Sequence, residues 1–276
     1  MSASEAAGFM GHGSLRRHLG LLAAQLRISV LAALEYRTGF WSQGVMGLLW
    51  SLGGVIPLWV ALQHRSELAG WSVGELGMLT GCYVMLAGVF AGFVQPGLAE
   101  TMDQIRRGTL DYVLLRPSDP LIASLGSAFA PWSLLEILAG LGLLIASALI
   151  TPVQAGPIEI AELLVVGVAG LVALYALGVL VLAASFRALQ LENLTYLMES
   201  LLDFARWPIS VFRGPLKLLF TFVVPFAIMT SYPAQALAGE LDGAAVAGAI
   251  VTALVLAGSA RALWSRALRG YTSASS

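Results

Sequence analysis

The sequence predicts an all-α membrane protein, a bundle of about six transmembrane helices. Three observations carry this. Hydrophobic residues make up 58% of the 276 and charged residues only 11%, against about 25% charged in an average soluble domain. The mean hydropathy is +0.83. The charges are also confined: Asp, Glu, Lys and Arg are absent from 38–64, 76–99, 120–135, 137–158, 163–186, 218–239 and 243–260. A spanning helix needs about 20 apolar residues, and none of these stretches alternates as a membrane barrel strand would. A soluble enzyme, a disordered chain and a nucleic-acid binder are excluded by the same composition.

The elements follow in order. Residues 19–34 are apolar behind Arg16 and Arg17, but Arg27 interrupts them and Glu35-Tyr36-Arg37 makes a poor cleavage site. They suit a helix lying in the membrane interface better than a secretion signal. Span 1 falls in 38–64 and span 2 in 76–99. Only Glu136 separates 120–135 from 137–158, so one span centres on 126–150. Span 4 is 163–186 and the last is 243–260.

The fifth span has two candidates. Segment 188–206 is helical in pattern and carries Glu192, Glu199, Asp203 and Arg206 within about 60° of one another. It can cross the membrane with that stripe facing protein or water, leaving 207–239, broken by four prolines, as a re-entrant pair. Alternatively 188–206 is a cytoplasmic amphipathic helix and 210–232 is the span, which the charges of Arg206, Arg213 and Lys217 favour.

Basic residues set the orientation. Arg16, Arg17, Arg27 and Arg37 precede span 1. Arg106, Arg107 and Arg116 follow span 2, Arg187 follows span 4, and Arg261, Arg266 and Arg269 lie at the end of the last span. Both termini are expected on the cytoplasmic side.

The chemistry-bearing residues are few. Cys82 is the one cysteine, so no internal disulfide or cysteine metal site is expected. Lys217 is the one lysine and sits between two leucines, so there is no Gly-Lys-Ser/Thr phosphate loop; if ATP drives the protein, another subunit binds it. His12, His18 and His64 lie outside the spans' interiors. No catalytic constellation and no metal site is expected. Span 2 carries a stripe of Gly74, Gly77, Gly81, Gly88 and Gly92 within about 60° of one face, suited to close helix packing. Glu136 is a further intramembrane candidate, for pairing with a basic residue or for the inner interface.

The loop after span 2, ETMDQIRRGTLDYVLLRPSDP, ends in Arg-Pro and Asp-Pro and suits a short helix offered to a partner. Its Ile105, Arg106, Gly108, Leu110, Asp111, Leu114, Leu115, Arg116 and Pro117 resemble the I-R-x-G-x-L-D-x-x-L-L-R-P inner loop of a poorly characterised branch of ABC-2 type ABC exporter permeases. GWSVGEL (70–76) resembles that branch's G-G-W-S-x-x-E-L, with Ala69 in place of the first glycine. FARWPISVF (204–212) resembles F-x-R-Y-P-I-S-I-Y, with Trp207 for tyrosine. The segment 218–239 and the tail 263–275 continue the match.

The resemblance implies a cytoplasmic N-terminus with interfacial helix (1–37), a six-span domain (38–265) and a cytoplasmic tail (266–276), in a bacterial cytoplasmic (inner) membrane. It implies a coupling loop at 96–120 that docks the ATPase, with Gln104, Ile105, Arg106, Arg107, Leu110 and Asp111 as its contact residues. Ile105 or Leu110 is expected to fill an apolar groove on the ATPase. It favours 188–206 as the fifth span and 207–239 as outer re-entrant helices, making Glu192, Glu199, Asp203, Arg206 and Glu136 candidates for a transport path or an interface. The implied complex has two permeases, identical or related, and two ATPase subunits that bind ATP and Mg, with no cofactor in this chain; it would export a lipid, drug-like or other amphipathic substrate. The alternative is an ATP-independent secondary carrier or channel.

Overall fold

A computed structural model describes residues 37–63, 67–115, 129–151, 155–186 and 194–269, with single positions 27, 31 and 35. The interfacial helix expected at 19–34, Glu192, Arg116, Pro117 and the last tail residues thus lie outside the described residues, in whole or in large part.

The first span is α1 (Arg37–Gly53) followed by α2 (Ile56–Gln63). A two-residue hairpin, β1 (Glu67–Leu68) and β2 (Trp71–Ser72), comes next. Its turn holds Ala69 at φ 54° and Gly70 at φ 86°, the pair of positive angles that matches the twist of a tight hairpin. Ser72 then caps α3 (Val73–Val89) in a capping box: its amide donates to Glu75 Oε2 at 2.8 Å, and the Glu75 amide donates to Ser72 Oγ.

A π turn at Phe90–Val94 joins α3 to α4 (Gln95–Arg107). Pro96 explains it. Proline cannot donate to the carbonyl four residues back and its ring crowds that carbonyl. The carbonyl is that of Gly92, and the amide of Ala130 takes it at 3.0 Å. The combined helix runs Val73–Arg107, 35 residues, about 52 Å at 1.5 Å per residue. That exceeds a hydrocarbon core of about 30 Å, so the region expected as a loop from residue 96 is in fact the continuation of span 2. Gly108, at φ 68°, ends it in the left-handed conformation, its amide reaching the carbonyl of Gln104. This turns α5 (Leu110–Leu114) back toward the bundle.

The third span is a short 3-10 turn at Pro131–Ser133 and α6 (Leu134–Ile150); the fourth is α7 (Pro157–Ser185). Next comes α8 (Leu194–Leu202), extended as a 3-10 helix over Asp203–Arg206. The segment α9 (Pro215–Leu218) continues as a π turn to Val223, and a second π turn at Ala227–Ser231 leads into α10 (Tyr232–Ala238). These two limbs bend by 68° at Pro225. The last helix is α11 (Gly243–Arg269).

Five of these helices are long and apolar enough to cross a membrane among the described residues, or six if the bent pair is one span. Contacts fix which end of the bundle each break occupies. Gly74 meets Thr151, so the start of α3 and the end of α6 share one end, where the hairpin sits. Ser210 joins it, accepting from Trp71 Nε1 and donating to the Ala69 carbonyl. Gly239 approaches Glu159 in the first turn of α7. Both ends of the bent pair therefore lie at the hairpin end. Its interior, Ile228 and Met229, packs against Gly170 partway along α7. Phe186, by contrast, packs on Trp264 near the end of α11, the opposite end. The chain thus passes from one end to the other between Phe186 and Ser210.

The main core gathers Leu98, Met102, Ile105 and Leu110 with Leu174, Leu182, Met198, Leu202 and Trp264. The five glycines of α3 and its π turn all face the third span. Gly81 and Gly140 bring the two backbones closest: a Cβ on Gly81 would sit 2.7 Å from the Leu144 nitrogen, and one on Gly140 2.5 Å from the Met85 nitrogen. Gly74, Gly77, Gly88 and Gly92 meet Thr151, Ser147, Ile137 and Ser133 in antiparallel order. The stripe's neighbour is in the same subunit.

Candidate functional site

A cavity of about 690 Å³ lies between α1, α3 with its π turn, the start of the third span, and α8. Each wall has a sequence cause. The α1 wall carries Gln43, Gly47 and Ser51 on successive turns, with Trp50 beside Ser51, and the π turn forced by Pro96 aims Gln95 into the same space. The polar stripe of α8 supplies Glu199, and the 3-10 turn after it supplies Asp203. Glu136 enters from the first turn of α6 and lies against Gly47, where any side chain would collide with its carboxylate.

The three carboxylates have different surroundings. Asp203 accepts from Tyr83 Oη at 3.0 Å and pairs with Arg206. Arg206 in turn donates from Nη1 to the Gly54 carbonyl at 2.9 Å and stands 5.6 Å from the Tyr83 ring centre. Glu199 accepts from the Gln95 amide. Glu136 is only 6% exposed, and the Ser51 hydroxyl, 3.4 Å away, is its one hydrogen-bond partner among the described residues. The expected basic partner for Glu136 is absent among them.

The structure brings Glu136, Glu199 and Asp203 together in one cavity, with Arg206 behind Asp203; Glu192 falls outside the described residues. It also adds Tyr83, Gln95, Gln43 and Ser51, none of which carries a charge that would mark it in the sequence. Uncharged polar side chains at Gln43 and Gln95 inside apolar runs were the available signal.

The coupling candidates separate into two sets. Ile105 (7% exposed) and Leu110 (0%) are buried in this chain's own core, so neither is free to fill a groove on an ATPase. The fold-back at Gly108 is the cause. Gln104 Nε2 donates to Glu100, and among the described residues Gln104 Oε1 is buried without a partner, as is Trp264 Nε1. Arg106 is exposed, Arg107 pairs with Asp103 at 2.9 Å on the surface, and Asp111 is half-buried. The large apolar groups that do stand free are Tyr112 (72%) and Leu115 (81%).

An all-α bundle of long apolar helices around a carboxylate-lined cavity defines a multi-pass membrane protein of the transport type. A family model described as ABC-2 family transporter protein matches residues 48–275, and the chain belongs to that family. It is a membrane permease component of an ABC transporter, works with an ATPase subunit and is not itself the ATPase. No curated protein and no solved structure matches the chain.

Proposed function

We propose that the chain is one of two permeases in an ATP-driven exporter of amphipathic molecules in a bacterial cytoplasmic membrane. Two ATPase subunits bind ATP and Mg, and the second permease is a copy of this chain or a relative. The observation that supports this best is the extension of α4 beyond bilayer thickness. It ends in Arg106 and Arg107 beside exposed Tyr112 and Leu115, a basic surface with apolar anchors suited to a docking subunit. Arginines concentrate at the same end, with Arg261, Arg266 and Arg269 of α11, which supports a cytoplasmic assignment for it. The chain's passage between Phe186 and Ser210 then serves as the fifth crossing, and 215–238 dips in from the outer face as a re-entrant pair. ATP-driven closure of the ATPases would push on α4 and α5. Because Ile105 and Leu110 share a core with Leu182 and Trp264, the push would reach α7 and α11 directly.

The test is co-purification with the neighbouring ATPase and reconstitution. ATP hydrolysis by the complex and none by the chain alone is the expected result. A second reading, an ATP-independent cation carrier, draws on the intramembrane carboxylates of the cavity. Sustained transport by the single chain in liposomes without nucleotide would establish that reading instead.

A further inference from the structure

We propose that the cavity binds an amphiphilic organic cation, an amine or quaternary centre carried on an apolar body. This deepens the permease reading and rests on it for the transport step after binding. The cavity's roughly 690 Å³ lies within the range of about 300–1,000 Å³ typical of small-molecule sites. Its charge is one-sided among the described residues: Glu136, Glu199 and Asp203 line it, and no described Lys, Arg or His does.

Among the described residues, only Asp203 of the three has a countercharge, from Arg206. Glu199 has an amide, and Glu136 has a single distant hydroxyl although it is more than nine-tenths buried. An ionised carboxylate offers about four acceptor sites, and burying one without a cation is costly. The Ser51 hydroxyl is the one donor to Glu136 among the described residues, so the cavity holds a carboxylate whose charge a ligand cation would offset.

Five further lining residues are aromatic: Trp50, Tyr83, Phe90, Trp132 and Tyr196. Aromatic faces attract cations as well as apolar groups, so both parts of the lining select the same sign. The rim distinguishes an amphiphile from an inorganic ion. Trp50 and Tyr196 are 75% and 66% exposed, and on α1 Trp50 stands beside the exposed Val45, Met46 and Leu49. A ligand entering past them comes from the lipid side, a route closed to a strongly hydrated ion.

The experiment is equilibrium binding of radiolabelled tetraphenylphosphonium to the full chain in lipid nanodiscs, with whatever permease co-purifies. Tetraphenylborate, the same shape with opposite charge, is assayed in a separate sample. Saturable binding of the cation and none of the anion is expected. Glu136→Gln and Glu199→Gln should each weaken it about tenfold or more, the loss of one carboxylate's attraction for the cation. Glu240→Gln, on the exposed turn before α11, should leave it unchanged. Should a carboxylate variant fail to fold by thermal unfolding, Ala87→Trp fills the cavity without altering charge and should abolish binding. No saturable binding, equal binding of tetraphenylborate, or binding indifferent to these changes overturns the proposal. If binding fails while the ATPase complex forms and hydrolyses ATP, the substrate class is wrong and the permease reading stands. If binding holds and no ATPase ever associates, the site stands and the exporter reading falls.

Discussion

Arg206 donates from Nη1 to the carbonyl of Gly54 at 2.9 Å, and that carbonyl sits at the break between α1 and α2. In an unbroken helix the Gly54 carbonyl would accept from the Leu58 amide. Here Leu58 donates to Val55 instead, which leaves the carbonyl open inside the bundle. Gly54 also lacks the Cβ that would collide with the guanidinium. One side chain thus satisfies a break in span 1 while pairing with Asp203 and covering Tyr83. The family-type stretch FARWPISVF acquires a physical meaning for its arginine: it holds span 1 against the segment after α8.

Arg206→Gln should therefore lower stability by about 1.5–3 kcal/mol, the range for a hydrogen bond to a charged group and the polar groups it leaves unpaired. Arg206→Lys should recover only part of this, because an ammonium cannot serve both the Asp203 carboxylate and the Gly54 carbonyl with a planar fork. Thermal unfolding in detergent measures both. Loss of less than about 0.5 kcal/mol in the glutamine variant would show that the contact does not hold the break.

At the docking end the burial pattern separates two kinds of substitution. Ile105→Ala removes a buried side chain and should cost about 2–5 kcal/mol of fold stability. Tyr112→Asp and Leu115→Asp change exposed groups and should leave unfolding within about 0.5 kcal/mol of the parent. If these two are the ATPase anchors, each should weaken association by roughly 2–4 kcal/mol, as loss of an interface hot spot does. Pull-down with the ATPase and thermal unfolding, run on the same preparations, read the two effects apart. Full ATPase association with both exposed positions changed to Asp would move the docking surface elsewhere.

How much of this was legible in the sequence depended on which force places a residue. The absence of charge marked five long helices, because the cost of a charge in lipid is large and local. The glycine stripe from Gly74 to Gly92 pointed to a packing face for the same reason: close approach depends only on residues of one helix. Its partner, the face of Gly140 and Ser147, could not be read, since pairing depends on the path between helices. The burial of Ile105 and Leu110 is not legible in the motif, because a coupling-loop pattern says nothing about the turn at Gly108 that folds it inward. Tyr83 and Gln95 join the cavity through Asp203 and Glu199, more than a hundred residues away in sequence, and no local pattern on span 2 reports such a contact.

The hairpin gives a test in the opposite direction, toward greater stability. Ala69 holds φ 54°, where its Cβ crowds the backbone at a cost of about 1–2 kcal/mol. The resembling branch carries glycine there. Ala69→Gly should relieve that strain, less about 0.4–1 kcal/mol for the freer unfolded chain, for a net gain of roughly 0.5–1 kcal/mol. Gly70→Ala, at φ 86°, should lose a similar amount. Opposite shifts in the unfolding midpoint are the expected result, and a loss of stability in Ala69→Gly would show that the turn is not strained at that residue.

The glycine seam permits the most quantitative contrast, because one helix pair contains both tight and open positions. A Cβ on Gly81 would lie 2.7 Å from the Leu144 nitrogen and 2.9 Å from the Gly140 oxygen. Both are backbone atoms held in a helical ladder, so neither can rotate away and the two helices must separate. Gly77 faces the side chain of Ser147 instead, with Cβ to Cβ at 3.0 Å and a hydroxyl that can turn. Gly142, on the same helix as Gly140, has nothing within 4 Å of where its Cβ would be. Overpacking a tight contact costs typically about 1–3 kcal/mol, so Gly81→Ala should fall in that range and Gly77→Ala below it. Gly142→Ala should be neutral or stabilising by up to about 1 kcal/mol, since alanine is the better helix former. Separating the helices at Gly81 would also shift Tyr83, two residues on, away from Asp203. Gly81→Ala should therefore weaken tetraphenylphosphonium binding while Gly142→Ala leaves it intact. Equal unfolding midpoints for Gly81→Ala and Gly142→Ala would show that the two backbones do not meet there.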